Sequence, residues 1–269
     1  TSSPCPIRFP DGAPMCLILL AHGAHADYPL VIAANRDEYY ARPTAKAAFW
    51  QDHPHILAGR DLECMGTWLG VTRSGRFAAL TNFRGPGERR SDAPSRGQLV
   101  SGFLIAEQAP REYLEEIATL APRYNGFSLL AGDVDRVFYF SSRTGSVQAV
   151  SPGIHGLSNH LLDTPWPKVV RGKQRLQAAL TEEPSAEALL DLLHDREVAA
   201  ASELPDTGIG AEMERVLSST LIVSPQYGTR ASTAVIFGRD GSVNFSERTI
   251  LRGGNFGATV SLRFSVNRA

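Results

Sequence analysis

The sequence predicts an α+β fold in which sheets and helices form separate layers. Apolar runs of strand length occur towards both ends of the 269-residue chain, and segments with helical periodicity lie between them. Strands and helices do not alternate strictly, which argues against a doubly wound parallel sheet. The hydrophobic content of 43% and the charged content of 20% are typical of a globular protein, so we expect one large core.

Paired apolar runs predict three β-hairpins between residues 16 and 141. A short turn segment separates the two runs of each pair, and Gly75 supplies a flexible turn position in the second hairpin. The predicted pairs are 16–21 with 29–35, 67–71 with 76–82, and 127–132 with 136–141.

Helical periodicity predicts four helices before the chain returns to strands. Ser95 and Pro110 are residue types that suit the start of the first two helices. The polar segment 83–94, rich in Gly and Pro, is predicted to be a long loop. We expect helices at 95–107, 110–120, 168–180 and 185–195, and late strands at 220–223, 232–237 and 242–247.

Composition argues against several classes of partner. The net charge is −1, with 27 basic and 28 acidic residues and no dense basic block, so neither nucleic acid nor a membrane is an expected partner. No apolar run approaches the ~20 residues needed to cross a bilayer. The pairs His22/His25 and His53/His55 lack further ligands at metal-binding spacing, so we expect no metal and no cofactor.

The cysteines and the first residues of the chain suggest a location. The odd count of Cys5, Cys16 and Cys64 suits a reducing compartment in which thiols stay free, so the cytoplasm is expected. Residues 1–15 contain four prolines and no secretion signal. We expect them to be a leader or an expression remnant, packed over the Cys16 cavity or a neighbouring molecule, ahead of a single domain at 16–269.

Cys16 is the candidate reactive residue. It follows Met15 directly, and removal of an initiator methionine would leave Cys16 with a free α-amine. Such an amine has an ordinary pKa of about 7.7–8.0 and can accept the thiol proton near neutral pH. The alternative is a small buried side chain, which is the commonest role of a free cysteine.

The motif Asn35-Arg36-Asp37-Glu38 favours the reactive interpretation. It ends an apolar strand that is predicted to pair with the strand beginning at Cys16. Charged residues at the end of a buried strand form either a surface ion pair, which contributes little, or a group of charges that tunes the thiol and holds its ammonium group.

These motifs and others along the chain resemble the NRDE-motif family, the bacterial relatives of the transport-and-Golgi-organisation proteins. The resemblance covers virtually everything after the leader. The matching segments are 15–16, 35–38, 58–61, 66–70, 79–84, 93–97, 124–127, 156–159, 163–168, 228–230 and 232–235.

The family is similar to the N-terminal-nucleophile cysteine hydrolases, such as penicillin V acylase and bile-salt hydrolase. This resemblance implies a four-layer αββα sandwich with the site residues gathered around one cavity. The implied residues are Cys16 as the nucleophile, Arg36 beside its thiolate, Asp37 at its α-ammonium, Asn82 and Asn159 as the oxyanion hole, and Arg230 as a distal arginine.

One departure from those hydrolases concerns the charged motif. Their arginine and aspartate are separated by two residues, whereas Arg36 and Asp37 are adjacent. Neighbours on a regular strand point to opposite faces. Either the strand ends or bulges at Arg36, or Asn35 and Asp37 form the functional pair and Arg36 faces elsewhere.

Two functions stay open at this level. The first is hydrolysis of a non-peptide amide bond in a small molecule, through a thioester on Cys16. The second is a non-catalytic carrier of haem or lipid on the same scaffold, because eukaryotic relatives have been linked to haem handling, lipid metabolism and Golgi organisation. The substrate and the oligomeric state are undetermined by either interpretation.

Overall fold

The computed structural model describes residues 16–85 and 90–266, and these form an α+β fold with four layers. Two antiparallel sheets pack face to face, and helices cover the outer face of each. The predicted fold class and the αββα arrangement are therefore confirmed. The leader expected at 1–15 lies outside the described residues, and so does its expected packing.

The first sheet has six strands, and the strand that begins with Cys16 is internal to it. The two strands of the first hairpin are buried on both faces, which explains their continuous apolar runs. In spatial order the strands are β10 (Gly153–Leu157), β1 (Cys16–His22), β2 (Leu30–Tyr39), β11 (Tyr227–Phe237), β12 (Ser242–Ile250) and β13 (Phe256–Ser265).

The second sheet has seven strands that follow one another in chain order. Short connections join most of them, as expected for antiparallel neighbours. The strands are β3 (Thr44–Phe49), β4 (Ile56–Asp61), β5 (Leu69–Thr72), β6 (Phe77–Asn82), β7 (Phe127–Gly132), β8 (Val137–Ser141) and β9 (Val147–Ala149).

Five α-helices occur in the described residues. The first two pack on the second sheet, and the third and fourth pack on the first sheet. None of the helices in these ranges is long and apolar enough to cross a membrane. The helices are α1 (Gly97–Ile105), α2 (Pro110–Leu120), α3 (Pro167–Ala179), α4 (Ala186–Leu192) and α5 (Ala211–Val216).

Strand alternation divides the side chains of β1 and β2 between two cores. Ile18 and Ile32 point into the core between the sheets, whereas Leu17 and Ala33 point towards α3 and α4. Polar residues that continue this alternation are therefore buried as well. The site is built from such residues at the ends of the two strands.

Most predicted elements are confirmed, and one is wrong. The three hairpins correspond to β1–β2, β5–β6 and β7–β8, and the four helices correspond to α1–α4. The strand predicted at 220–223 does not form, because Val223 makes only an isolated bridge to Gly228 and the carbonyl of Thr220 accepts from the Asn35 side chain. Strand β13 was not predicted, because its residues are exposed or half-buried and form no apolar run.

The cysteines do not all stay free. Cys16 is a free thiol, whereas Cys64 is disulfide-bonded. The expectation of free thiols is therefore wrong at Cys64, and the inference of a reducing compartment loses the support that it drew from the cysteine count.

Candidate active site

Cys16 opens β1 and lies at the wall of a small cavity. Its partner across the antiparallel pair is Arg36 on β2, and both side chains continue the series that faces the second sheet. Cys16 is 7% exposed. The cavity has a volume of about 90 Å³, and its wall includes Cys16, Arg36, Asp37 and Asn82.

Asn159 connects the backbone of Cys16 to the second sheet. Its side-chain Oδ1 accepts a hydrogen bond from the Cys16 backbone nitrogen at 3.0 Å, and its Nδ2 donates to the Asn82 carbonyl at 3.0 Å. Asn159 is completely buried and has a φ of 53°, in the left-handed region that asparagine tolerates better than most residues. Its amide therefore fixes both the start of β1 and the end of β6.

Asp37 lies on the opposite face of β2 from Arg36, towards the helical layer. Thr229 donates to its Oδ1 at 2.6 Å, but its Oδ2 is buried and has no hydrogen-bond partner among the described residues. Burial raises the pKa of Asp37, and the positive charge of Lys168 opposes that rise. The carboxylate is thus held near Cys16 by one hydrogen bond and by charge.

The structure resolves how the adjacent Arg36 and Asp37 fit a single strand. β2 pairs with β1 without a bulge, so the two residues do point to opposite faces. The register shift lies instead on β11, at Arg230, between Thr229 and Ala231. In its pairing with β1, β2 therefore neither ends nor bulges at Arg36.

Asn35 shares its face with Asp37, as one alternative expected, but its contacts are structural. Its Nδ2 donates to the backbone carbonyls of Leu193 and Thr220, and its Oδ1 accepts from Ser232. These bonds tie β2 to β11 and to the segments that pack against it. The partners of Asn35 are therefore backbone and strand groups, and it does not line the Cys16 cavity.

The surroundings of Cys16 keep its thiol protonated. Burial raises the pKa of Cys16 to about 12, and the Asp37 charge adds to this rise. The backbone N–H of Asp37 and the charge of Arg36 act in the opposite direction. Any chemistry of the sulfur near neutral pH therefore needs a base that takes its proton.

The two arginines implied by the resemblance lie in different places. Arg36 is buried at the cavity wall, where it donates to Thr44 at 3.2 Å and pairs with Glu38 at 3.6 Å. Arg230 donates to the backbone carbonyls of Tyr39 and Arg42 and does not line the cavity. The structure therefore brings Cys16 together with every implied site residue except Arg230.

Two groups of charged residues near Cys16 were not assigned from the sequence. The first, the Arg42 cluster, comprises Glu38, Arg42, Asp61 and Glu63, and Arg42 pairs with all three carboxylates. The sequence shows these residues only as separate charged positions, because the two segments that carry them are not adjacent in the chain. Residues 38, 42 and 61 line the same cavity as Cys16.

The second group, the Asp37 cluster, lies towards the helical layer. It joins Asp37 to Lys168 in the first turn of α3 and to the pair Arg84–Glu214, whose charged atoms are 3.1 Å apart. Lys168 and Arg84 end two of the matching segments, so the resemblance contained the signal without a role for either residue. No group of three or more His, Cys, Asp or Glu side chains in the described ranges is arranged to hold a metal ion.

The fold and the site define a four-layer α+β protein with a buried cysteine at the head of an internal strand, beside amide and carboxylate side chains. The chain belongs to the Transport and Golgi organisation 2 family, whose model matches residues 15–252. The human Transport and Golgi organization protein 2 homolog is 39% identical over 246 residues, covering 83% of this chain and 87% of its own length. The mouse homolog is 37% identical with the same coverage.

A solved structure also resembles the chain at low identity. It is the N-acylethanolamine-hydrolyzing acid amidase ortholog of Caenorhabditis elegans, with a TM-score of 0.47, 9% identity, and coverage of 82% of this chain and 92% of that one. At these values the likeness says nothing about the chemistry of this chain.

Proposed function

We propose that the chain is a cysteine hydrolase of the N-terminal-nucleophile type, acting on a non-peptide amide bond of a small molecule. The observation that carries this proposal is the placement of Cys16: its backbone nitrogen is anchored by Asn159 while its side chain lines a cavity. Nucleophile and prospective base then belong to one residue, whose nitrogen is fixed by Asn159. The narrower assignment to the bacterial NRDE-motif branch is part of the same proposal.

Catalysis requires that the Cys16 nitrogen be an amine. While Met15 is attached, that nitrogen is an amide and cannot accept a proton, and the raised pKa keeps the thiol neutral. Once the bond to Met15 is cleaved, the free α-amine can take the thiol proton, and Asp37 supplies a negative charge for the resulting ammonium. The sulfur then attacks the amide carbonyl carbon to form a tetrahedral oxyanion.

Collapse of the oxyanion breaks the C–N bond, and the leaving amine takes the proton from the ammonium. Water then cleaves the thioester and regenerates the thiol. Asn82 lines the cavity and is the better placed of the two candidate oxyanion donors. Asn159 already uses both ends of its amide, so its main contribution is to position Cys16.

Cavity size limits the substrate. A volume of about 90 Å³ at Cys16 accommodates the reacting amide and a short acyl group, so larger parts of a substrate must extend beyond it. A second cavity of about 900 Å³ favours the alternative function, a non-catalytic carrier. Its described lining includes Ile209, Met213 and Leu217 but neither His nor Cys, so it fits a lipid better than haem.

The test compares two forms of the protein that differ only in the residue before Cys16. One begins at Cys16, released from a cleavable fusion, and the other retains Met15. Each is incubated with anilides of short acyl chains, and intact mass and amine release are measured. We expect a thioester adduct and turnover only in the form that begins at Cys16, and neither after Cys16→Ala.

The outcomes separate the two candidate functions. Adduct formation at an equal rate in both forms would contradict the role of the α-amine. No adduct in either form, together with saturable uptake of a fluorescent fatty acid, would replace the hydrolase by the carrier.

A further inference from the structure

Lys168 is an unusual residue in this chain. The sequence contains only three lysines, Lys46, Lys168 and Lys173, among its 27 basic residues. Lys168 is 2% exposed and lies in the first turn of α3, which packs on β1 and β10. A buried cation is costly, and the positive end of a helix dipole adds to that cost. Packing alone does not explain such a residue, because an uncharged side chain would fill the space.

The charged end of Lys168 makes no hydrogen bond to any residue that the structure describes. Its Nζ is buried without such a partner, and the same is true of Asp37 Oδ2. The interaction between the two residues is therefore one of charge through a low-dielectric interior, where such interactions are strong. The pKa of Lys168 is affected by the charges of Cys16, Asp37, Arg84 and Glu214. The pKa of Asp37 is also affected by the charges of Arg36 and Glu38.

We propose that Lys168 is a positioning residue of the Cys16 site, whose ammonium keeps the Asp37 carboxylate charged beside Cys16. The proposal deepens the hydrolase function, since a charged Asp37 is what holds the α-ammonium of Cys16. Without Lys168, burial protonates Asp37 and the α-ammonium loses its counter-charge. Arg84 does not replace Lys168, because its guanidinium is paired with Glu214 at 3.1 Å and lies over the Trp166 ring.

Lys168 and Asp37 influence each other's protonation. Burial lowers the pKa of Lys168, and the Asp37 charge raises it again, so each group supports the charged form of the other. The two residues therefore titrate as a pair.

The experiment reads the charge of Asp37 through the reactivity of Cys16. It uses the full chain with Met15 retained, so it does not depend on hydrolysis. The rate of iodoacetamide alkylation at Cys16 is measured at pH 7.5 by peptide mass for the wild type, Asp37→Asn, Lys168→Met and the double variant. Lys173→Met, in the same helix, is the matched control.

The Asp37 charge raises the pKa of the thiol, so Asp37→Asn should increase alkylation on the order of tenfold, the change that one pKa unit produces. Lys168→Met should produce a similar increase, because Asp37 then protonates. The double variant should match either single variant, and Lys173→Met should match the wild type. As the pH is raised, the excess rate of Lys168→Met should shrink because Asp37 ionises, whereas that of Asp37→Asn persists.

Two results would overturn the proposal. An unchanged rate in Lys168→Met beside an increased rate in Asp37→Asn would mean that Asp37 is charged without Lys168. An unchanged rate in Asp37→Asn would mean that Asp37 carries no charge for Lys168 to maintain. Both comparisons can still be interpreted if the hydrolase function fails, because neither of them requires turnover.

A second measurement tests the proposal without Lys168→Met, in case that variant does not fold. Lysine labelled with ¹³C is titrated in the wild type and in Asp37→Asn, and the Lys168 signal is identified by its loss in Lys168→Arg. We expect Lys168 to titrate below its ordinary value of 10.5 in the wild type and lower still in Asp37→Asn. Equal titration in the two proteins would contradict the pairing.

Discussion

The Arg42 cluster and the Asp37 cluster border the same cysteine but are built differently. In the first, a buried guanidinium contacts three carboxylates directly, two of its nitrogens bonding to Asp61. In the second, Lys168 Nζ and Asp37 Oδ2 are buried without hydrogen-bond partners in the described ranges. Saturated ion pairs are typical of structural networks, whereas buried charges that lack hydrogen bonds and have shifted pKa values are typical of functional sites.

This difference predicts that stability depends mainly on the Arg42 cluster. Arg42→Met should lower the free energy of unfolding by about 3–5 kcal/mol, because the buried Glu38 and the largely buried Asp61 lose their shared cation. Arg60→Met is the matched control. Arg60 forms an equally close pair with Asp52, at 2.7 and 2.6 Å, but the Asp52 side chain is 49% exposed.

We expect Arg60→Met to cost at most about 1 kcal/mol, as exposed pairs usually do. Urea denaturation of the two variants and the wild type measures both values. Equal losses would show that burial of the network does not matter, and the distinction between the two clusters would then fail.

The next prediction concerns Asn159, which holds Cys16 through directional bonds and not through charge. Asn159→Ala removes the two amide hydrogen bonds of the side chain. It also leaves alanine at a φ of 53°, a left-handed conformation in which its Cβ is strained. Asn159→Gly removes the same bonds but tolerates that backbone conformation. The alanine variant should therefore be less stable than the glycine variant by about 1 kcal/mol.

Both variants should lose on the order of 1–3 kcal/mol relative to the wild type, because the Cys16 nitrogen and the Asn82 carbonyl lose their buried partner. The measurement is again urea denaturation. A glycine variant as stable as the wild type would mean that the Asn159 amide does not anchor the strand that begins at Cys16.

The sequence predicted those parts of the fold that have a local signal. The hairpins containing β1 and β2, β5 and β6, and β7 and β8 follow from apolar runs and turns within one short segment. β13 has no such signal, because it is an edge strand whose side chains are largely exposed. The segment 220–223 has an apolar run, but its backbone groups bond to side chains, including those of Asn35 and Thr229.

The site residues also divide into those that the sequence could predict and those that it could not. Cys16 and Arg36 could be placed opposite each other because their strands form a hairpin, and the structure pairs them directly. The Lys168–Asp37 interaction could not be predicted, because it depends on how α3 packs on the first sheet. Arg230 was expected near the site, but a register shift on β11 accompanies its contacts with backbone carbonyls. Packing and strand irregularities have no signature in a single sequence.

The smallest expected effect on stability is that of Cys16→Ala, in the chain that retains Met15. The substitution removes one sulfur atom from a side chain that faces a cavity. The start of β1 keeps its anchor, because Asn159 binds the backbone nitrogen of residue 16 and not the thiol. We therefore expect a loss of about 1 kcal/mol or less in the free energy of unfolding. The effect on reactivity should be complete, with no iodoacetamide alkylation at this position.

The contrast with Arg42→Met makes this result informative. If Cys16 were a core side chain, its truncation would leave a void among packed atoms and would lower stability by several kcal/mol with no change in chemistry elsewhere. If Cys16 is the reactive group, Cys16→Ala and Arg42→Met have opposite profiles, one losing reactivity and the other losing stability. Urea denaturation and iodoacetamide alkylation, measured on both variants, decide between these alternatives, and a large destabilisation by Cys16→Ala would favour the core interpretation.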